Sequence, residues 1–393
     1  MIFVGIDIAK SKHDCYIIDS DGVILADFLS IPNSRKGFET LYSTILSFVS
    51  ISDLRNVKIG LESTGHYSIN ITNYLHSKGF QITILNPLAT NLFRKAHTLR
   101  KTKTDKTDAK VIATMLFTDE FKPYSPPSSY QIQELKSLTR HRYRLVCYRA
   151  KLKLSISRLM DIIFPEFSSL VWSIHQNSSY QLLLEYPTPD AISKAHLTRL
   201  TNILQSASNG RYKKDKAIIL KECAGNSIGS SNRSLAFELQ QTIRLIQSVQ
   251  KEVNELDKLI KIIVTELNSP IISIPGISYT LAAIILAEIG DIERFSSPGK
   301  LLAFSGMDPS TYQSGKYKAT DASMVKRGST YLRWAIMQAA RLVAMRDATF
   351  ADYLAKKRSE GKHFKVAITH VGKKLLRVMY HLMRTNKSFV PQT

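Results

Sequence analysis

The chain has 393 residues and carries 54 Lys plus Arg against 32 Asp plus Glu, a formal net charge of +22. A hydrophobic share of 44% excludes a disordered chain, and the length exceeds what one small core serves, so two or more domains are expected. The cationic surplus argues against an ordinary acidic metabolic enzyme and predicts a polyanionic partner, most simply nucleic acid bound through counterion release.

The cysteines Cys15, Cys147 and Cys223 lie far apart and form no CxxC pair, which suits a reducing compartment. The opening MIFVGIDIAK is interrupted by Asp7 and has no leading basic stretch, so it does not read as a signal peptide. The apolar stretch LAAIILA (281–287) is cut by Glu288 well short of a membrane span. A cytoplasmic protein with no membrane partner is expected.

Residues 1–125 read as mixed α/β. IFVGIDI, HDCYIIDS and GVILADFLSI are three short β-prone runs, the last two separated by the turn Ser20-Asp21-Gly22. A helix capped by Ser34 follows, running to about Val49, then a strand VKIGLES (57–63). A helix from Ser68 to about Lys78, a strand FQITIL (80–85) and a helix opening at Pro87 complete the order βββαβαβα. Three strands in a meander followed by αβ units describe a ribonuclease H-like architecture.

Four acids stand out on these elements. Asp7 interrupts the first strand between Ile6 and Ile8, on the face opposite to them. Glu62 ends the fourth strand. Asp105 and Asp108 lie three residues apart in KTDKTDAK, on one face of a helix continued by Ala109, Ile112, Ala113 and Leu116. In this architecture the first and fourth strands are neighbours and a late helix packs beside their ends, so the four carboxylates are expected to converge. Converging carboxylates repel unless cations compensate them, and hard divalent ions, Mg²⁺ above all, take such oxygen ligands. Such a site can activate an attacking oxygen at a phosphodiester. Taken singly, each acid has a commoner use, at a helix start or a strand end. Arg94, Lys95, Arg100, Lys101, Lys103 and Lys106 form a basic rim suited to a phosphate backbone.

Residues 126–268 read as long helices. Leu138, Leu145, Leu152 and Leu159 recur every seven residues beside Arg140, Arg142, Arg144, Arg149 and Lys151. Leu239, Ile246, Val253, Ile260 and Leu267 repeat likewise, with Thr242, Val249, Leu256 and Ile263 three positions later, the a/d pattern of a coiled coil. Heptads do not say whether the partner helix lies in the same chain or another. Between them, 165–235 reads as an inserted helical segment, Ser/Asn-rich in places, with no chemistry assigned.

Residues 269–393 read as mostly helical. IISIPGISYTLAAIILAEIG predicts helix, Pro275-Gly276 turn, helix, like a helix-hairpin-helix element, with the amides of Gly276, Ile277 and Ser278 pointing outward at a phosphate. Ser314 lies in Tyr312-Gln313-Ser314-Gly315-Lys316, near Lys326, Arg327 and Arg333. A serine hydroxyl needs a base or metal to take its proton and cations to neutralise the phosphate it attacks; the segment supplies cations and no base, and on the local sequence alone Ser-Gly reads as a turn.

GIDIAK, GLESTGHY, KTDKTDAK, IPGIS and FSGMDP…YQSGK…KRGSTYLRWAIMQAA, in this order over nearly the whole chain, together resemble the IS110-family transposases. The resemblance implies an N-terminal RuvC-like domain whose Asp-Glu-Asp-Asp set falls on Asp7, Glu62, Asp105 and Asp108, and a coiled coil that assembles a dimer or tetramer. It implies a C-terminal transposase domain with its nucleophile at Ser314, near which Ser310 and Ser323 also stand. It further implies a covalent phosphoserine link to DNA, an active site completed by the Mg²⁺ site of a partner subunit, and a structured noncoding RNA that pairs with donor and target DNA and would be read by shape and backbone. Lys316, Lys326, Arg327 and Arg333 would then contact DNA. The competing classes are a RuvC-like metal-dependent nuclease with Ser314 structural, an ATP-binding kinase of the actin-like fold, and a non-catalytic nucleic-acid scaffold. The net charge and the lack of a second Gly-rich phosphate loop weigh against the kinase.

Overall fold

A computed structural model describes residues 1–62, 65–97, 105–118, 130–309, 313–314, 317–318 and 324–391, with backbone alone at 97, 105, 313, 314, 317 and 318. The chain divides into two units, Met1–Pro126 and Pro127–Thr393.

The first unit is built on strands β1 (Ile2–Ile8), β2 (Lys12–Asp19), β3 (Ile24–Pro32), β4 (Val57–Glu62) and β5 (Gln81–Leu85), in the sheet order β3-β2-β1-β4-β5. The first three strands pair antiparallel and β1-β4-β5 pair parallel, a mixed five-stranded sheet consistent with the expected RuvC-like domain. Gly22 turns the β2–β3 hairpin at φ 82°. Alternation sorts β1 into two faces. Ile2, Val4, Ile6 and Ile8 pack with Phe38, Leu41 and Ile45 of α1 (Arg35–Leu46) and Ile71 and Leu75 of α2 (Ser68–Ser77). Ser34 caps α1 by accepting from the Gly37 amide, as its sequence predicts.

The opposite face receives α4 (Asp105–Thr118), with α3 (Pro87–His97) beside it. Phe3, Tyr16 and Ile18 pack there with Ala109, Ala113 and Leu116. Gly5 and Gly60 stand in register on neighbouring strands. A Cβ on Gly5 would lie 2.1 Å from the Ala109 carbonyl oxygen and 2.5 Å from the Ala113 nitrogen. The two glycines thus form a trough that seats α4 against bare backbone. Residues 109–113 sit over Gly5, while Ala113 and Leu116 reach Phe3, so α4 runs antiparallel to β1. Its first turn lies at the end of the sheet where β1 and β4 carry Asp7 and Glu62.

The second unit opens with α5 (Tyr130–Ile163), passes through the short helices α6 (Phe167–Leu170), α7 (Asn177–Glu185), α8 (Pro189–Lys194), α9 (Leu197–Ala207) and α10 (Lys214–Gly225), and returns along α11 (Arg233–Leu267). The heptad stripe of α11 is spent inside the chain. Leu239, Thr242, Ile246, Val249, Val253, Ile260 and Ile263 are buried, and antiparallel rungs join the helix to α5: Arg158 to Glu238 at 2.7 Å, Arg142 to Asp257 at 2.6 Å and Gln131 to Glu266 at 3.1 Å. Thr242, the polar residue in the stripe, donates to the Glu238 carbonyl at 2.8 Å. The expected coiled coil is therefore a helix pair within one chain, and this stripe is no longer available to join subunits.

α12 (Tyr279–Ile289), α13 (Pro298–Ser305), the two-stranded hairpin β6 (Gln313–Ser314) and β7 (Tyr317–Lys318), α14 (Thr330–Arg346), α15 (Ala348–Ser359) and α16 (Phe364–Thr385) follow. The helix expected before Pro275 is only a 3₁₀ turn, Pro270–Ser273. α11 ends in left-handed Asn268, and Pro270, lacking an N–H, restarts the chain rather than continuing the helix. No helix among the described residues is long and apolar enough to cross a membrane.

Candidate active site

At the carboxyl ends of β1 and β4 the sequence-predicted acids are brought onto adjacent elements. Asp7 shares the α4-side face of β1 with Phe3 and Gly5, and Glu62 shares that face of β4 with Gly60. Glu62 and Asp108 line one polar cavity of about 210 Å³, together with Thr90, Asn91 and Arg94. Glu62 Oε2 accepts from the Thr90 hydroxyl at 2.9 Å, and Asp108 Oδ1 accepts from Arg94 Nη1 at 3.3 Å. Among the described residues no group of three or more His, Cys, Asp or Glu side chains stands close enough to hold a metal ion. The Asp105 side chain lies outside the described residues, and Asp105 is placed by its backbone at the start of α4. Asp7, Glu62 and the first turn of α4 thus stand at one end of the sheet, and of the described carboxylates Glu62 bonds Thr90 and Asp108 bonds Arg94.

The structure adds an acid that sequence reasoning passed over. Asp14 faces Asp7 directly across the antiparallel β1–β2 pair. Its side chain is only 2% exposed, Oδ2 is ion-paired with Lys12 Nζ at 2.9 Å, and Oδ1 is buried with no hydrogen-bond partner. Like charges directly opposite on neighbouring strands destabilise a sheet unless cations stand by. A second acid in a β run, one hairpin away from Asp7 and in phase with Tyr16 and Ile18, was the available signal.

The basic rim divides. Lys95 is exposed. Arg94, expected on a phosphate, instead bonds Asp108 and Asn91, and Lys106 is ion-paired with Asp27. Arg100, Lys101 and Lys103 lie outside the described residues.

In the second unit, Ser314 sits on β6 opposite Tyr317. Ser310, Lys316 and Ser323 lie outside the described residues. The stem of this hairpin is tied by Val325 N to Asp308 O at 2.9 Å, Lys326 N to Gly306 O at 3.0 Å and Ser329 N to Phe304 O at 2.9 Å. Gly328 is obligatory there: it has φ 130°, and a Cβ on it would lie 2.2 Å from the Phe304 oxygen. Arg333, expected on DNA, closes the stem by donating from Nη1 to the Ser305 oxygen at 3.2 Å and the Lys326 oxygen at 3.1 Å. Lys326 and Arg327 remain exposed.

The stem rests on a buried ion pair that the sequence did not announce. Glu288, 3% exposed on the otherwise apolar α12, receives Arg140 Nε at 2.7 Å and Nη2 at 3.1 Å, and the Ser329 hydroxyl at 2.7 Å. Ser329 in turn caps α14 by accepting from the Leu332 amide. Burial pushes the Glu288 carboxyl up, but the bonds from Arg140 and Ser329 and the charges of Arg140 and Lys136 outweigh it and hold the group below the ordinary carboxylate range. An acid inside LAAIILAEI was the one hint.

The Pro275-Gly276 turn differs from expectation. The Ile277 amide donates to the Ile274 oxygen at 3.1 Å, and Gly276, at φ 95°, abuts the backbone of Leu342 and Val343 on α14. The Ser278 hydroxyl caps α12 by accepting from Leu281 N. At least one of the three amides expected to meet a phosphate is consumed within the turn, and the glycine serves close packing.

Comparison with known proteins bears on both units. A family description reading "Transposase", for the DEDD transposases of IS110 type, matches residues 4–165, and one reading "Transposase IS116/IS110/IS902 family" matches residues 268–355. The 44.8 kDa protein of insertion element IS116 from Streptomyces clavuligerus is 26% identical over 99% of this chain and 96% of its own length. The pilin gene-inverting protein of Moraxella bovis is 23% identical over 98% and 97%. The 42 kDa protein of insertion element IS900 from Mycobacterium paratuberculosis is 23% identical over 100% and 98%.

Proposed function

Because the chain belongs to the IS110 family of transposases, we propose that it cuts and rejoins DNA through the Ser314 hydroxyl, with Asp7, Glu62, Asp105 and Asp108 holding a divalent cation, Mg²⁺ by preference. Membership implies a DNA recombination activity and, through the DEDD domain, dependence on a divalent metal. The pilin gene-inverting relatives, whose name describes a DNA inversion, agree with strand exchange.

The observation that carries the reading is the joint placement of Asp7, Glu62 and the first turn of α4 at one end of the sheet. The donor set fits the metal in its chemistry, since it is all hard carboxylate oxygen. When bound, the cation would neutralise phosphate charge and acidify the attacking oxygen.

The chain's own residues do the rest. The Ser314 oxygen forms an ester to phosphorus as a bridging sugar oxygen leaves and takes up a proton, while the serine proton passes to an acceptor. A second DNA hydroxyl then attacks the same phosphorus and releases the serine, so the strand is rejoined with no external energy source. Lys95, Lys326 and Arg327 hold phosphates, and a structured RNA from the element's ends selects the sites.

The test is covalent trapping. Full-length protein is incubated with element-end DNA, Mg²⁺ and the flanking noncoding transcript, then denatured and resolved by mass. A protein–DNA adduct is expected, absent in Ser314→Ala and in Asp7→Asn. An adduct persisting in Ser314→Ala removes the serine assignment. Hydrolysis with no adduct, lost in Asp7→Asn alone, makes the protein a metal-dependent nuclease.

A further inference from the structure

We propose that the inserted helices bind an unpaired base of a single-stranded nucleic acid, with Trp172 as its stacking platform. These helices lie outside both family descriptions, which cover 4–165 and 268–355. Trp172 is 92% exposed just after α6. A tryptophan ordinarily buries much of its ring, whereas this one stands in water and lines a cleft.

The platform is held by a built framework. The Trp172 backbone N–H donates to the Tyr212 hydroxyl at 3.0 Å, and Gln176 Nε2 donates to the same oxygen at 2.9 Å. The Tyr212 amide donates to Ser208 Oγ at 2.8 Å, and Asn177 Nδ2 donates to the Ala207 oxygen at 3.3 Å. The turn between α6 and α7 is thereby pinned to the turn between α9 and α10, the latter made by Asn209 and Gly210 at φ 52° and 79°. Between the two turns opens a cleft of about 510 Å³, walled by Trp172, Gln176, Asn177, Asn209 and Arg211 among others.

The chemistry of the walls selects the occupant. An indole face stacks on a planar heterocycle, and Gln, Asn and Ser side chains donate and accept at its polar edge. Arg211 lines the cleft, and Lys213, Lys214 and Lys216 follow it with Asp215 as the one acid in that run. A lining that sets an indole beside Gln, Asn, Ser and Arg side chains suits a base flanked by phosphates better than an apolar peptide. Inside a duplex both faces of a base are already stacked, so away from duplex ends an unpaired base is what the platform can take. The inference stands apart from the chemistry assigned to Ser314 and the carboxylates.

The chain has two tryptophans, which makes the test direct. Trp334 packs edge-on against Tyr143, with ring centroids 5.6 Å apart. Full-length protein is titrated, without divalent metal, with oligouridine, oligothymidine and a duplex of equal length, while tryptophan emission and binding anisotropy are read together. Emission should be quenched by single strands and not by duplex, and the quench should vanish in Trp172→Phe. Trp172→Ala should weaken single-strand binding by about 5- to 150-fold, the range of one lost base stack, and leave duplex binding unchanged. The stronger of the two single strands tells RNA from DNA as the source of the base. No quench by either strand, a quench that survives Trp172→Phe, or unchanged single-strand affinity in Trp172→Ala overturns the proposal.

Discussion

Glu288 shows how much a single side chain organises. It joins α12 to α5 through Arg140 and to the start of α14 through Ser329, and so fixes one end of the stem that carries Ser314. Its carboxyl lies below the ordinary value of 4.5, with burial opposing and the Arg140 and Ser329 bonds prevailing. A depressed carboxyl stabilises the fold fully above its unfolded value and loses that contribution as pH falls through the folded one. Glu288→Gln should therefore lower unfolding stability at pH 7 and flatten the decline below about pH 4.5. Breaking a buried pair costs about 3–5 kcal/mol; Gln keeps one acceptor and Arg140 is 39% exposed, so about 2 kcal/mol is expected. Urea unfolding at pH 7 and pH 4 measures both effects, and an equal pH dependence in variant and parent refutes the assignment. If the proposed serine chemistry holds, trapping of the Ser314 adduct should weaken in parallel, since the stem loses an anchor.

At the scale of elements, the first site depends on how closely α4 approaches the sheet. Gly5→Ala would drive a Cβ into the Ala109 carbonyl, and backbone cannot rotate away, so about 3 kcal/mol or more of stability should go, together with metal-dependent activity. Gly60→Ala meets Leu116 Cδ1 at 2.7 Å, the tip of a flexible side chain, and should cost about 1 kcal/mol. Thermal unfolding of the two variants side by side tests the trough, and equal losses would contradict it. The strands themselves were readable from alternation, and so was the face that Asp7 takes, because a period of two leaves little choice. Ser34 was readable as a cap because one hydroxyl at a helix start has one obvious use. The partner of the α11 stripe was not, since a/d spacing specifies a complementary helix and not its chain. Asp14 escaped because its meaning lies in cross-strand register, and Glu288 because its partners are 148 and 41 residues away in sequence. Arg94 and Arg333 read as phosphate ligands because charge is visible in a sequence and an internal acceptor is not.

At the scale of the molecule, the surplus of 54 cations over 32 anions outlives the internal pairing. Arg140, Arg142 and Arg158 each meet a carboxylate within the second unit, and every such pair removes one charge of each sign, so the net +22 is untouched by them. What remains must be balanced by mobile anions in solution, and a phosphate backbone replaces those anions while shedding its own counterions. Binding of mixed-sequence duplex DNA should accordingly be salt-controlled. If six or more phosphates are engaged, affinity should fall about a thousandfold or more between 50 and 200 mM salt. Neutralising the exposed pair Lys326 and Arg327 together should reduce the slope of log affinity against log salt by about 2. Arg142→Gln should leave that slope alone and lower stability instead, because its charge is already committed to Asp257. Anisotropy titrations across a salt series read the slopes. A slope indifferent to Lys326 and Arg327 yet reduced by Arg142→Gln would mean that the internal pairs, and not the exposed cations, meet the nucleic acid.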